Sequence, residues 1–415
     1  MKRAADFFEV EPMLQQRQAG VILAGIMKSK PEYLKTKPHY EILDGLRGVA
    51  AMMVVLFHIF EAHAGGSVFR QIINHGYLAV DFFFLLSGFV VAYAYDDRWG
   101  KMTQWEFYKR RLIRLQPMVI MGNIIGALLF YYQSCPMFNL VSTTPVWKVV
   151  VVMLVGFTMI PLLPSMDIRG WQEMHPLDGP AWSLFFEYIA NVLYAVGLKK
   201  VSNKVLSVLV VLSAGLLIHL LVWGPRGDVI GGWTVDAEQL HIGFARLLFP
   251  FLAGMLLMRL GKRIHVRWAF GWCSLILVGV FAIPRIGGPQ HLWMNGIYEA
   301  LAIIVVFPVV VAMGAGDRVS AGFEEKVCRF MGEISYPLYI THYPLIYVYT
   351  AWATRQKVAL EPSIAWGVLL FLTAVAIAYA CLKLYDEPLR RWLTARYMTR
   401  PVGAGVQALS AEAGR

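Results

Sequence analysis

Long, uncharged apolar runs separated by short loops rich in Lys and Arg dominate this chain and restrict what it can fold into. The runs fall at 43–62, 77–96, 113–133, 145–164, 181–198, 205–223, 243–260, 268–284, 296–314, 332–353 and 363–384. A bilayer-crossing helix needs about 20 such residues. In lipid every backbone amide must be satisfied internally, so only helices and closed barrels can cross. The runs lack the apolar/polar alternation of barrel strands. An all-α, polytopic membrane fold is therefore expected. Of the 415 residues 58% are hydrophobic and 16% charged, against roughly 45–50% and 25% in soluble domains, which excludes an ordinary soluble globule.

The formal charge is +11. In a chain with this many spans the excess of Lys and Arg reads as the positive-inside signal, so the expected partner is the lipid bilayer and no nucleic acid is expected. The four cysteines are scattered with no CxxC, giving neither a disulfide framework nor a zinc site, and no metal is expected. The short apolar run Val21 to Met27 leads into Lys28, Lys30, Lys35 and Lys37 rather than a small-residue cleavage site, so residues 1–40 read as a cytoplasmic arm. With that arm inside, the first two spans leave Arg98, Lys101, Lys109, Arg110, Arg111 and Arg114 inside as well. The segment 145–164 carries Lys148, Pro161 and Pro164. If it crossed, every later basic loop would lie outside. The reading that satisfies the charges has ten transmembrane helices, one re-entrant segment at 145–164, both termini cytoplasmic, a membrane domain over 41–392 and a disordered tail over 393–415.

Ionisable side chains inside spans cost about 2.5–3.5 kcal/mol on insertion scales and are functional candidates by default. In the first span Arg47 and His58 share one helix face, with His58 about 16 Å further along, and Asp44 can pair with Arg47 one turn away. Asp81 lies near the start of the second span, at the depth of His58 in an antiparallel hairpin, where a carboxylate could orient the imidazole. Glu187, and His342 between Pro337 and Pro344, fall at comparable depth, which suggests a polar chamber. Arg111 and Arg114, one turn apart at a helix start, suit a phosphorylated ligand. No GxSxG, HExxH or P-loop occurs.

The segments DGLRGVAAMMVVLFH, VDFFFLLSGF, RRLIR, PAWSLFFE, EISYPLYITH and DEPLRRWL occur in this order. Together, over about residues 40–392, the chain resembles the acyltransferase-3 family of integral-membrane O-acyltransferases. The resemblance implies a ten-helix core and places the family's Arg-x10-His motif on Arg47 and His58, with His58 catalytic. It places the Arg-x2-Arg motif on Arg111 and Arg114, which handle the acyl-CoA donor. It implies acetyl transfer from acetyl-CoA to a hydroxyl of a surface or secreted carbohydrate, such as an exopolysaccharide or lipopolysaccharide O-antigen, lipid-linked or free. The setting would be the bacterial inner membrane. His58 would be the base, with direct transfer and an acyl-imidazole intermediate both open; His342 would belong to the same site, Asp81 or Glu187 would orient the base, and Arg47 would steady the donor arm. The stretch MDIRGWQEMHPLDGPAW maps to no family pattern, and the soluble hydrolase-like extension common in the family is not expected here. The competing readings are a transporter or flippase of a polar solute, and acyl transfer to a small molecule such as a macrolide.

Overall fold

The computed structural model describes residues 37, 39–319 and 322–398. The expectations for residues 1–36 and for the tail from 399 onward lie outside the described residues. Among those described there are helices and turns and no β-strand, the all-α architecture that the apolar runs require. Helix α14 (Glu387–Tyr397) carries helical structure into the first residues of the segment read as tail.

Among the described residues seven helical stretches are long and apolar enough to cross a membrane: Glu41–Glu61, Gly76–Tyr95, Gln104–Gln133, Asn203–Trp223, Ala237–Leu260, Leu292–Gly314 and Leu360–Tyr397. The chain is a multi-pass membrane protein. Helix α4 (Val146–Gly156) is 11 residues long; at 1.5 Å per residue it spans roughly 16 Å, about half a hydrocarbon core. As a helix it is too short to cross alone. Two segments counted as spans are also short. Helix α5 (Ala181–Val196) has 16 residues and α8 (Ala269–Ala282) has 14. The apolar run 332–353 is two helices, α11 (Phe323–Thr341) and α12 (Tyr343–Gln356), which meet at His342. Pro337 inside α11 and Pro344 in the first turn of α12 remove two ladder amides there, and missing amides are what kink a helix.

Two close helix pairs position the polar groups. Helices α1 (Glu41–Glu61) and α11 run in the same direction: Arg47 meets Ser335, and one end further along His58 meets His342. A methyl group on Gly48 would collide with the Met331 carbonyl, and one on Gly332 would meet Asp44. Helices α2 (Ala79–Tyr95) and α7 (Ala237–Leu260) approach through Gly88 against Phe251 and Gly254 against Leu85. Where lipid gives no hydrophobic drive between helices, small residues that let backbones touch supply dispersion instead.

Candidate active site

A cavity of about 110 Å³ lies among α1, α2, α3 (Gln104–Leu129), α5 and α11. One wall is polar and cationic. Arg47, Arg111 and Arg114 all line it, with Glu187 as the one carboxylate. The facing wall is apolar, with Phe83, Phe84, Val90, Val91 and Leu184. The guanidinium of Arg47 is held in place: its Nε donates to Ser335 Oγ at 2.7 Å, and its Nη2 donates to the Gly332 carbonyl at 3.0 Å. Asp44 lies 3.2 Å from the same nitrogen, the one-turn pair expected from the sequence. Arg111 is buried and its Nη2 donates to Glu187 Oε1 at 2.5 Å, while Ser87 donates to the same oxygen at 3.2 Å. Arg114 has no ion-pair partner among the described residues and remains accessible on the rim. Three guanidinium groups against two carboxylates, Asp44 and Glu187, leave the cluster cationic, and their planar forks match phosphate or carboxylate oxygens.

Tyr339 and Ser183 also line the cavity, their hydroxyls 2.8 Å apart, with Phe83 packed edge-on at 5.4 Å from the Tyr339 ring. Beyond Tyr339 stand the two histidines. The His342 ring is 6.1 Å from that of Tyr339 and 5.5 Å from that of His58. The Tyr343 ring meets the His58 ring at 4.6 Å. His58 Nδ1 is 2.7 Å from Glu61 Oε2. Because that carboxylate accepts, Nδ1 carries the proton and Nε2 is left as an acceptor. The side chains are 17% and 44% exposed, respectively, so this end opens to solvent.

The structure thus brings together Arg47, Arg111 and Arg114 at one end and His58 with His342 at the other. It does not bring the expected carboxylates to the histidines. Asp81 is fully buried against Arg246, which donates from Nη2 at 2.7 Å and from Nε at 3.2 Å. The reason is azimuth: Asp81 sits on the side of α2 that packs on α7, not the side toward α1. Glu187 is likewise taken up by Arg111 in the cationic cavity. The group on His58 is Glu61, which sequence reasoning overlooked although it stands three residues on, within reach on one helix. Tyr339 and Ser183 were also overlooked, inside the motifs EISYPLYITH and PAWSLFFE. Arg246, alone in an apolar run, was detectable by the same rule that flagged Asp81.

The stretch MDIRGWQEMHPLDGPAW folds into a loop beside the histidine end, where Gly179 packs on Tyr343 and Tyr347. Its Arg169 is fully buried: it donates to Gln133 and the Pro176 carbonyl at 2.5 Å each and to Glu173 at 3.2 Å, and stacks 3.4 Å over Tyr347. Tyr347 in turn donates to Glu173 at 2.5 Å. Burial pushes the Glu173 carboxyl up to about 6 and the His175 imidazole down to about 3. This is a charged, dry support behind Tyr343.

Comparison with known proteins finds relatives of this chain. A protein of Rhizobium radiobacter called protein 2 in picA locus is 33% identical over 165 residues, covering 37% of this chain and 80% of that protein. O-acetyltransferase OatA of Staphylococcus aureus is 24% identical over 368 residues, which is 84% of this chain and 57% of the relative. Peptidoglycan O-acetyltransferase OatA of Listeria monocytogenes is 25% identical over 394 residues, 88% of this chain and 58% of the relative. The chain spans somewhat more than half the length of these OatA proteins. No solved structure matches it. A family model described as an acyltransferase domain matches residues 40–383, a range that holds the three arginines, both histidines, Glu61 and the loop beside them, and so the chain belongs to the acyltransferase-3 family.

Proposed function

We propose that this protein moves an acetyl group from acetyl-CoA to a hydroxyl of a cell-surface or secreted carbohydrate in the bacterial cytoplasmic membrane. The observation that carries the reading is the pairing of two sites on α1 and α11: a cavity lined by three guanidinium groups and apolar side chains, and an imidazole with a carboxylate on Nδ1 further along the same helices. Phosphates of the donor fit the arginine end, and the apolar wall suits the pantetheine arm. The arginine end faces the cytoplasm, where positive-inside threading puts it. That threading keeps the ten-span count with both termini inside, with α5 and α8 as short spans and 145–164 re-entrant.

At the histidine end His58 acts as general base. Its Nε2 takes the proton of the acceptor hydroxyl, and Glu61 offsets the charge that appears on the ring. The OatA relatives and the family's acyltransferase domain favour a carbohydrate acceptor over a transported solute.

Purified protein in detergent, given acetyl-CoA labelled in the acetyl group and a panel of peptidoglycan, exopolysaccharide and O-antigen fragments, should transfer label to one class. Mass spectrometry of surface glycans with and without the gene should show the same ester. A protein that binds no acetyl-CoA and leaves every glycan unchanged would overturn the reading.

A further inference from the structure

The geometry points to His342 as a covalent carrier: the acetyl group passes from the donor to Nε2 of His342, and from there to the hydroxyl activated by His58. This rests on the acetyl-transfer reading above and adds a second step to it.

The His342 ring is fully buried. Its Nδ1 lies 3.0 Å from the Leu338 carbonyl and 2.9 Å from the Tyr339 carbonyl. Carbonyl oxygens only accept, so Nδ1 bears the proton and Nε2 the lone pair. That Nε2 has no partner among the described residues, although a buried acceptor is ordinarily paired. The His342 ring lies 6.1 Å from that of Tyr339, which lines the arginine cavity, and 5.5 Å from that of His58. A thioester that passes Tyr339 comes beside His342. The two imidazoles also differ in what holds them. His58 has a carboxylate on Nδ1, which favours taking a proton; His342 has two neutral carbonyls and no carboxylate. A lone pair fixed in direction and not equipped to keep a proton is suited to attack carbon.

In the first step the Nε2 lone pair bonds to the thioester carbonyl carbon, the C–S bond breaks, and CoA leaves as the thiolate. The ring becomes an N-acetylimidazolium that keeps its Nδ1 proton on the two carbonyls, and the thiolate balances its charge. In the second step His58 Nε2 takes the proton of the acceptor hydroxyl while that oxygen bonds to the acetyl carbon. The C–N bond breaks and its electron pair returns to Nε2 of His342. The proton on His58 passes through solvent to the thiolate, so the products are the ester and CoA.

The test is isotope exchange between labelled CoA and acetyl-CoA with no acceptor present, which requires acetyl to reside on the enzyme. Wild-type protein should exchange. His58→Ala should lose transfer to background yet still exchange, and rapid quenching should leave acetyl on the peptide that holds His342. His342→Gln, close in size and able to accept a hydrogen bond but not an acyl group, should bind acetyl-CoA and lose exchange at least 100-fold; His342→Ala is the second variant should the first not fold. Wild-type protein that transfers acetyl but does not exchange would overturn the carrier and leave the acetyltransferase reading standing. Exchange by a folded His342→Gln protein would do the same. Wild-type protein that neither binds acetyl-CoA nor transfers would overturn both.

Discussion

The two ends of the α1–α11 pair are built from the same helices and are finished differently. At one end Arg47 spends its donors on Ser335 and the Gly332 carbonyl, and the neighbouring Arg111 spends one on Glu187. Both guanidinium groups are fixed before any ligand arrives. At the other end each imidazole uses Nδ1 on a nearby acceptor, and the unpartnered Nε2 of His342 is buried. The first arrangement is preorganised for holding an anion, the second for exchanging a proton or an acyl group. On the proposed reading, binding and chemistry are separated along one helix pair, and each end can be disturbed without the other.

The largest effect expected from that separation is at the histidine end. His58→Ala should reduce acetyl transfer by about 10²–10⁴-fold, the usual worth of a general base, with acetyl-CoA affinity measured by calorimetry unchanged. A parallel loss of donor affinity would break the division. Glu61→Gln should cost roughly 10–100-fold in kcat, because the ring loses the carboxylate that holds its tautomer and offsets the charge formed in the transition state, while KM for acetyl-CoA stays put.

Asp81 sharpens the comparison from outside it. As the partner of buried Arg246, Asp81→Ala should destabilise the fold by about 3–5 kcal/mol, the cost of leaving a buried charge unpaired, read as a lowered unfolding midpoint in detergent. Orientation of His58 by Asp81 would instead appear as an altered pH profile in a fully stable protein.

At the arginine end Arg114→Ala should raise KM for acetyl-CoA with little change in stability, since Arg114 holds no ion pair among the described residues. Arg111→Ala should do the same and also lower the unfolding midpoint, because Glu187 is left without its cation. Equal effects on kcat and kcat/KM would mean the cluster acts on the transition state rather than on donor binding.

The smallest effect concerns the loop beside the histidine end. Burial lowers His175 from 6.5 to about 3, so the folded loop refuses a proton that the opened loop accepts. The stability that neutral His175 permits is present above pH 6.5 and is lost as pH falls toward 3. Between pH 7.5 and 5 that is about 2 kcal/mol. Glu173 works in the opposite sense between about 6 and its ordinary 4.5. The informative quantity is therefore the difference between wild type and His175→Gln, in which the acids cancel. Hydrogen exchange in peptides from 162–180 should open in wild type relative to the variant at pH 5 and not at pH 7.5.

Most of the helical skeleton and the residues of both ends of the candidate site were legible in the sequence. Hydropathy located the helices, and the rule against stray ionisable groups in spans picked out Arg47, His58, Asp81, Glu187 and His342. It could not say which of them meet. Depth in a hairpin is readable from residue counts, but azimuth depends on which neighbour a helix face packs against, and Asp81 turned toward α7. Helix ends were also hidden. The apolar runs over α5 and α8 continue past the helices themselves, because Gly197 ends α5, Trp268 starts α8 and Ile283 ends it, and hydropathy does not distinguish a helix from an apolar loop beside it. Arg169 stayed unread because a loop arginine looks solvated until the aromatic rings that cover it are placed.

The contact of Gly48 with Met331 and of Gly332 with Asp44 locks α1 to α11 with almost no slack between backbones. A pair so clamped works as a ruler. The eleven residues from Arg47 to His58 fix the two groups about 16 Å apart, and inserting one residue between them would swing the imidazole about 100° around the helix. On the proposed reading such a ruler measures its donor. A molecule earns the arginine contacts and presents its acyl carbon to the histidines together only if its anionic head and its acyl end are separated by the right length of chain. Acetyl phosphate, whose charge and acyl group adjoin, would satisfy one mark of the ruler at a time.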